Sequence, residues 1–186
     1  MTAPTPMIGE PLAVDLVNTR PLGADLLASP AQLADWLTAQ AAREPDLAVA
    51  TPTSADLLAI HAVRDHTAAA LDAVRDGRRP PESAVRGLIA AQMAAPAILR
   101  PTWTGTAMAT DRHRTGSAGV RAAAALAEAA AVLLADPAMG KLRRCAADDC
   151  VLLFVATHPR RQWCSPARCG NRARVARYYQ RHKEQA

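Results

Sequence analysis

The chain has 186 residues, half of them hydrophobic. That is enough apolar material for one packed domain, or a medium domain with a small module, and it excludes wholesale disorder. Aromatics make up only 3%, so Ala, Leu and Val must fill the core, which favours closely packed helices. The net charge of +5 is unevenly placed: residues 1–140 carry 11 Lys and Arg against 14 acids, and the chain from Lys141 onward carries 11 against 3.

Met1 to Glu10 has neither a basic n-region nor an apolar h-region, so no secretory signal is expected. Residues 12–19, LAVDLVNT, suit a helix or a strand; Leu12, Leu16 and Thr19 recur at helical spacing and favour the helix. Ser29-Pro30 is a cap followed by proline, and predicts a helix to about Ala42 that buries Leu33, Trp36 and Leu37. Thr53 or Ser54 caps a longer helix, with Leu57, Ile60, Val63 or Arg64, Leu71 and Val74 on the buried period and Gly77 at its end. Pro80-Pro81 open a third, in which Val85, Leu88, Ile89 and Met93 share the face expected to be buried.

The pattern then changes. Residues 97–100 and 103–108 read as two short strands on either side of Pro101, and 110–116 as a polar loop. Ser117 to Ala135 is the clearest helix, Ala-rich and closed by Asp136-Pro137. Its richest stretch, Ala122 to Ala135, is shorter than the roughly 18 residues of a membrane span and carries Glu128. A soluble cytoplasmic protein, with no membrane partner, is the expectation. Gly140 marks a hinge.

All four cysteines follow it. Cys145, Cys150, Cys164 and Cys169 form a Cys-x4-Cys pair, a thirteen-residue spacer and a second Cys-x4-Cys pair. Two turns giving two sulfurs each suit one tetrahedral Zn²⁺ ion, and four thiolates leave no open position, so the site is structural. The other reading, two disulfides or unrelated thiols, fits a reducing cytoplasm poorly. Val151 to Ala156 is expected to pair back against Arg161 to Trp163 as a hairpin across the spacer.

Ser165-Pro166 repeats the cap-and-proline start and predicts a helix to about His182. Arg174, Arg177 and Arg181 recur as one stripe, Arg168 and Arg172 form a second row, and Arg160 and Arg161 sit at the expected hairpin tip. Val175, Tyr178 and His182 are expected to pack on the finger. A basic helix beside a metal module suits DNA: arginines can bond phosphates or guanine edges in a major groove.

Leu142-Arg143-Arg144-Cys145, Cys150, Leu153-Phe154, Trp163-Cys164-Ser165 and Cys169-Gly170-Asn171-Arg172 together resemble the CGNR zinc finger. The run Leu12 to Thr19, followed by Leu33 and Trp36-Leu37, resembles the ABATE domain that precedes this finger in bacterial proteins. The resemblance implies a stress-induced transcription regulator that binds DNA through the finger and has a regulatory or dimerising N-terminal domain. The fold class expected is α+β. A mainly helical domain with a small β-hairpin spans 1–139, and a treble-clef-like finger, hairpin then helix, spans 140–186.

Asp15, Asn18 and Arg64 are polar residues in apolar helical contexts. They mark either a small-ligand pocket or buried hydrogen bonds between helices, and the second is favoured. DNA is the expected partner, with a second copy of the chain and a small-molecule effector as further candidates. A finger that docks an acidic protein, or binds RNA, is the alternative. No enzyme is expected: no nucleophile–base motif is present, and His61, His66 and His113 lack metal-ligand spacing.

Overall fold

The computed structural model describes residues 9–183, with side chains as far as Ala176 and at Tyr178. The elements in order are α1 (Leu12–Val17), α2 (Pro30–Ala41), a 3-10 turn (Pro45–Leu47), α3 (Ser54–Arg75), α4 (Glu82–Ala94), β1 (Ile98–Trp103), β2 (Met108–His113), α5 (Ala118–Ala135), a second 3-10 turn (Pro137–Lys141), β3 (Leu142–Arg144), β4 (Leu153–Val155), one π-helical turn (Pro166–Gly170) and α6 (Asn171–Lys183).

The helices start where their caps dictate. Ser29 accepts from the Gln32 N–H at the head of α2. Thr53 and Asp56 form a reciprocal capping box at α3. The Ser117 hydroxyl caps α5.

Helix α5 is the central beam, packed against α1, α3 and α4. Its buried positions are mostly alanine, Ala122 through Ala125, Ala127 and Ala130, with Leu126 and Leu133 as the larger members. Small side chains let neighbouring helix axes approach closely, so the low aromatic content is matched by tight helix packing. Two glycines mark the closest crossings. A Cβ on Gly119 would overlap the Asp56 carboxylate, and one on Gly87 would overlap the His66 ring. Eighteen residues long with a mean hydropathy of 1.6, α5 is the one described helix long and apolar enough to cross a membrane; half of it is buried here, as a core helix is.

Helix α4 departs from expectation. Leu88 is buried, but Val85, Ile89 and Met93 are exposed. The helix turns Ala84 and Leu88 inward instead. Periodicity locates an apolar face without saying whether anything covers it. The strand bounds also shift. Pro101 lies inside β1 instead of between strands, and the segment read as a polar loop supplies most of β2. Proline is tolerated there because β1 is an edge strand.

Arg64 is almost fully buried. It donates to both Asp25 carboxylate oxygens, at 2.7 and 2.6 Å, and to the Thr19 hydroxyl at 2.9 Å, tying α3 to the loop after α1. Burial acts to raise the Asp25 carboxyl, but hydrogen bonds from Arg64 and the Leu27 N–H outweigh it and hold the group at about 2, down from 3.8. A carboxyl lowered in the fold contributes stability above its unfolded value and loses it as pH falls through the folded one. Asp25→Asn strands a buried guanidinium and should cost about 3 kcal/mol in urea unfolding at pH 7. The difference between variant and wild type should shrink between pH 4 and pH 2, roughly the window between the two values.

Candidate metal centre and nucleic-acid surface

The hairpin of the finger is not the expected one. β4 pairs antiparallel with β3, which precedes the first cysteine, in the register Leu142↔Val155, Arg143↔Phe154 and Arg144↔Leu153. Residues 161–163 form no strand. The turn between β3 and β4 therefore carries Cys145 and Cys150. The Cys145 N–H donates to the Leu152 carbonyl and the Cys150 N–H to the Ala147 carbonyl.

The outer edge of β4 is closed by the helical domain. Leu153 donates its N–H to the Asn18 Oδ1 at 2.8 Å, and its carbonyl accepts from Asn18 Nδ2 at 2.9 Å. A primary amide carries the same donor and acceptor pair as a peptide group, so Asn18 stands in for one residue of a third strand. The Val155 N–H donates to Glu10 Oε2 at 2.9 Å. Leu142 and Leu153 belong to the main hydrophobic core with α1, α3 and α5.

The second pair of cysteines comes from a different local structure. Ser165 caps the π-helical turn, and the Gly170 N–H reaches back to the Ser165 carbonyl. This wider turn brings the Cys169 sulfur to 3.6 Å from that of Cys164, while Cys150 lies 3.8 Å from Cys164. All four sulfurs lie within 4.8 Å of one another. A tetrahedron of thiolates about 2.3 Å from Zn²⁺ has edges of about 3.8 Å, whereas a disulfide requires about 2.05 Å. The donor set therefore fits one structural zinc ion. Cys145, Cys164 and Cys169 are buried, packed with Ala147, Leu152 and Phe154 in a small second core.

The thiols are not equivalent. Burial, followed by the neighbouring sulfurs, pushes Cys150 up to about 11 and Cys164 higher still. Burial also opposes ionisation of Cys145, but N–H donors, among them that of Cys164 at 3.5 Å, outweigh it and lower that thiol. Without a cation Cys150 and Cys164 keep their protons; a bound Zn²⁺ takes their place.

The arginines expected at nucleic acid divide into two groups. Arg161 turns inward. It donates to Glu10 Oε1 at 2.6 Å and to the Cys164, Val155 and Trp163 carbonyls, and its guanidinium lies 4.4 Å from the centre of the Phe154 ring. Arg172 bonds Asp149 at 2.9 Å and the Cys169 sulfur at 3.4 Å, so it braces the two knuckles. Arg160, Arg168 and Arg174 are exposed, with Arg174 bonded to Asn171. Positions 177 and 181 lie on α6, and their side chains are outside the described residues. Val175 and Tyr178, expected to pack on the finger, are about half exposed; His182 lies outside the described side chains. A groove of about 470 Å³ separates α6 from the first knuckle, lined by Ala146, Ala147, Asp148, Asp149, Arg172 and neighbouring alanines of α6. At 100° per residue, positions 174, 177 and 181 fall within one narrow stripe of α6.

Asp15, Asn18 and Arg64 serve three separate hydrogen-bond networks. Asp15 accepts from the Gly9 and Glu10 N–H groups, Gln40 and Arg43. Together with the Glu10 contacts, this fixes the segment before α1 against both α2 and the finger. Sequence reasoning missed Glu10 as the partner of Arg161. The only signal was two charged residues without a local partner, 151 positions apart.

Residues 10–137 match the family model ABATE, described as a putative stress-induced transcription regulator. Residues 141–182 match the model of the CGNR zinc finger. No curated protein matches the chain.

Two outcomes are expected. At least two protons should leave per ion bound, so zinc affinity should fall by about 100-fold per pH unit on acidification near neutrality. Chelator competition across a pH series measures this, and a pH-independent affinity would contradict the protonated cluster. Asn18→Ala leaves the Leu153 N–H and carbonyl without partners and should cost about 3 kcal/mol. The same variant should lower the temperature at which zinc is released, read by melting with a zinc-sensitive dye present.

Proposed function

We propose, from the premise that this chain belongs to the ABATE family and ends in a CGNR zinc finger, that it is a transcription regulator that binds double-stranded DNA through α6 and the finger loops. The supporting observation is the placement of α6. Its first residue lies two positions after Cys169, so the metal knuckle fixes the helix start and direction. By helical spacing Arg174, Arg177 and Arg181 form one basic stripe along α6, while Arg160 and Arg168 add exposed charge from the loops.

In this reading the roles divide. Arg174, Arg177 and Arg181 lie along phosphates and set affinity. Arg160 and Arg168 extend the contact from the finger loops. Arg161 and Arg172 position the surface: one braces the loop after β4, the other the knuckle. Four sulfurs fill the coordination sphere, so the site supports architecture and a binding function instead of hydrolysis.

The test is the salt dependence of binding to mixed-sequence duplex. Each phosphate contact contributes about 0.9 to the slope of log affinity against log salt. Replacing Arg174, Arg177 and Arg181 together by Ala should reduce the slope magnitude by about 2–3 and weaken binding to all sequences. Zinc content and melting temperature should stay at wild-type values. Arg172→Ala should instead lower zinc retention. A triple variant that binds DNA with unchanged slope would shift the assignment to an acidic protein partner.

A further inference from the structure

The four sulfur ligands differ in what they face. Cys145, Cys164 and Cys169 are buried, and Cys150 alone is part-exposed. A cleft of about 270 Å³ opens onto the cluster beside it. Cys150, Cys164 and Cys169 line this cleft together with Asp149, Arg168 and Arg172; Cys145 does not. A liquid water occupies roughly 30 Å³, so the cleft has room for a small oxidant to reach sulfur.

A cysteine held by a metal is a thiolate, and the thiolate is the nucleophilic form. Reactive cysteines lie in part-exposed, electropositive surroundings, whereas buried structural ones are inert. Cys150 meets both conditions: it has access, and two guanidiniums face one carboxylate on the cleft wall. A second sulfur is within reach. Cys164 Sγ lies 3.8 Å from Cys150 Sγ and lines the same cleft. The other two sulfurs are tied to donors. Cys145 Sγ accepts from the Cys164 N–H at 3.5 Å, and Cys169 Sγ from the Arg172 guanidinium at 3.4 Å. Donors that stabilise a thiolate lower its nucleophilicity, which leaves Cys164 as the better attacking partner.

We propose that Cys150 is the site at which peroxide oxidises this finger, and that Cys164 resolves the product as a Cys150–Cys164 disulfide, dismantling the metal centre. In the first step Cys150 Sγ attacks one peroxide oxygen. The O–O bond breaks, hydroxide leaves, and the sulfur becomes a sulfenic acid, oxidised by two electrons. In the second step Cys164 Sγ attacks Cys150 Sγ. The S–S bond forms, the S–O bond breaks, and a second hydroxide leaves. Two protons from solvent turn both hydroxides into water, so two thiolates and one peroxide give one disulfide and two waters. The donor set falls from four thiolates to two, and the disulfide joins the knuckle between β3 and β4 to the turn before α6. The start of α6, two positions after Cys169, then loses its metal anchor, whatever that helix binds.

Full-length protein loaded with one equivalent of zinc, treated with hydrogen peroxide beside a zinc-sensitive dye, tests this. About one zinc should be released per peroxide consumed. A dimedone probe present during the reaction should label Cys150 first. Without the probe, peptide mass spectrometry should find Cys150 joined to Cys164, and a dithiol with added zinc should restore the centre. Cys150→His keeps four donors, with nitrogen in place of the exposed sulfur, and should release zinc at least about tenfold more slowly. If that variant does not load zinc, the wild-type label and disulfide decide. Zinc retained at peroxide levels that oxidise free cysteine overturns the proposal. So does a first label on Cys145, Cys164 or Cys169, a first disulfide other than Cys150–Cys164, or a loaded Cys150→His protein that releases zinc at the wild-type rate.

Discussion

A three-residue strand has two edges and few bonds, and the finger depends on how both edges of β4 are closed. β3 closes one; a side-chain amide from α1 closes the other at Leu153, and a carboxylate from the preceding segment reaches Val155. Buried peptide groups left without partners would cost about 1–3 kcal/mol each, comparable with much of the net stability of a small module. Asn18 is therefore a structural member of the finger, although it lies 135 residues away from Leu153. The helical domain and the metal module share one core through Leu142 and Leu153.

Zinc and this latch act at opposite ends of the same unit. The thiolates draw the two knuckles together, and the latch seats the strand between them on the helices. Arg161 connects the two ends, with its guanidinium on Phe154 and its donors shared between Glu10 and the Cys164 carbonyl. Loss of either constraint is felt by the other, which makes α6 an extension of a braced body and not a loosely tethered tail.

The metal ligands and the helix starts were legible in the sequence, because both rest on local rules: Cys-x4-Cys spacing, Ser-Pro caps, and the Thr53–Asp56 box. The α+β class followed from the helical periods and the strand-like runs, and the position of α5 from its alanine content and its Asp136-Pro137 stop. What could not be read was pairing over distance. Val151 to Ala156 was rightly strand-like, yet its partner lay before the first cysteine, and nothing local distinguishes Leu142–Arg144 from Arg161–Trp163 as the other strand. Charge counting placed Arg161 at an exposed hairpin tip because a sequence carries no sign of the carbonyls and the carboxylate it meets, and it gave no sign that the exposed Arg172 bonds Asp149 and the Cys169 sulfur. On α4, the stripe at Val85, Ile89 and Met93 was recognised but its exposure was not, since one chain alone does not say what covers a face.

The Asn18–Leu153 pairing also bears on how such a protein can be rebuilt. A finger cut at Gly140 and fused to a foreign scaffold would arrive with one flank of β4 bare, offering an open strand to any extended peptide. Carrying Glu10 and α1 across with it would keep that flank filled. The smallest transplantable version of this finger is thus discontinuous in the gene, and recombination between unrelated helical bodies and this finger is constrained at an asparagine outside the zinc module.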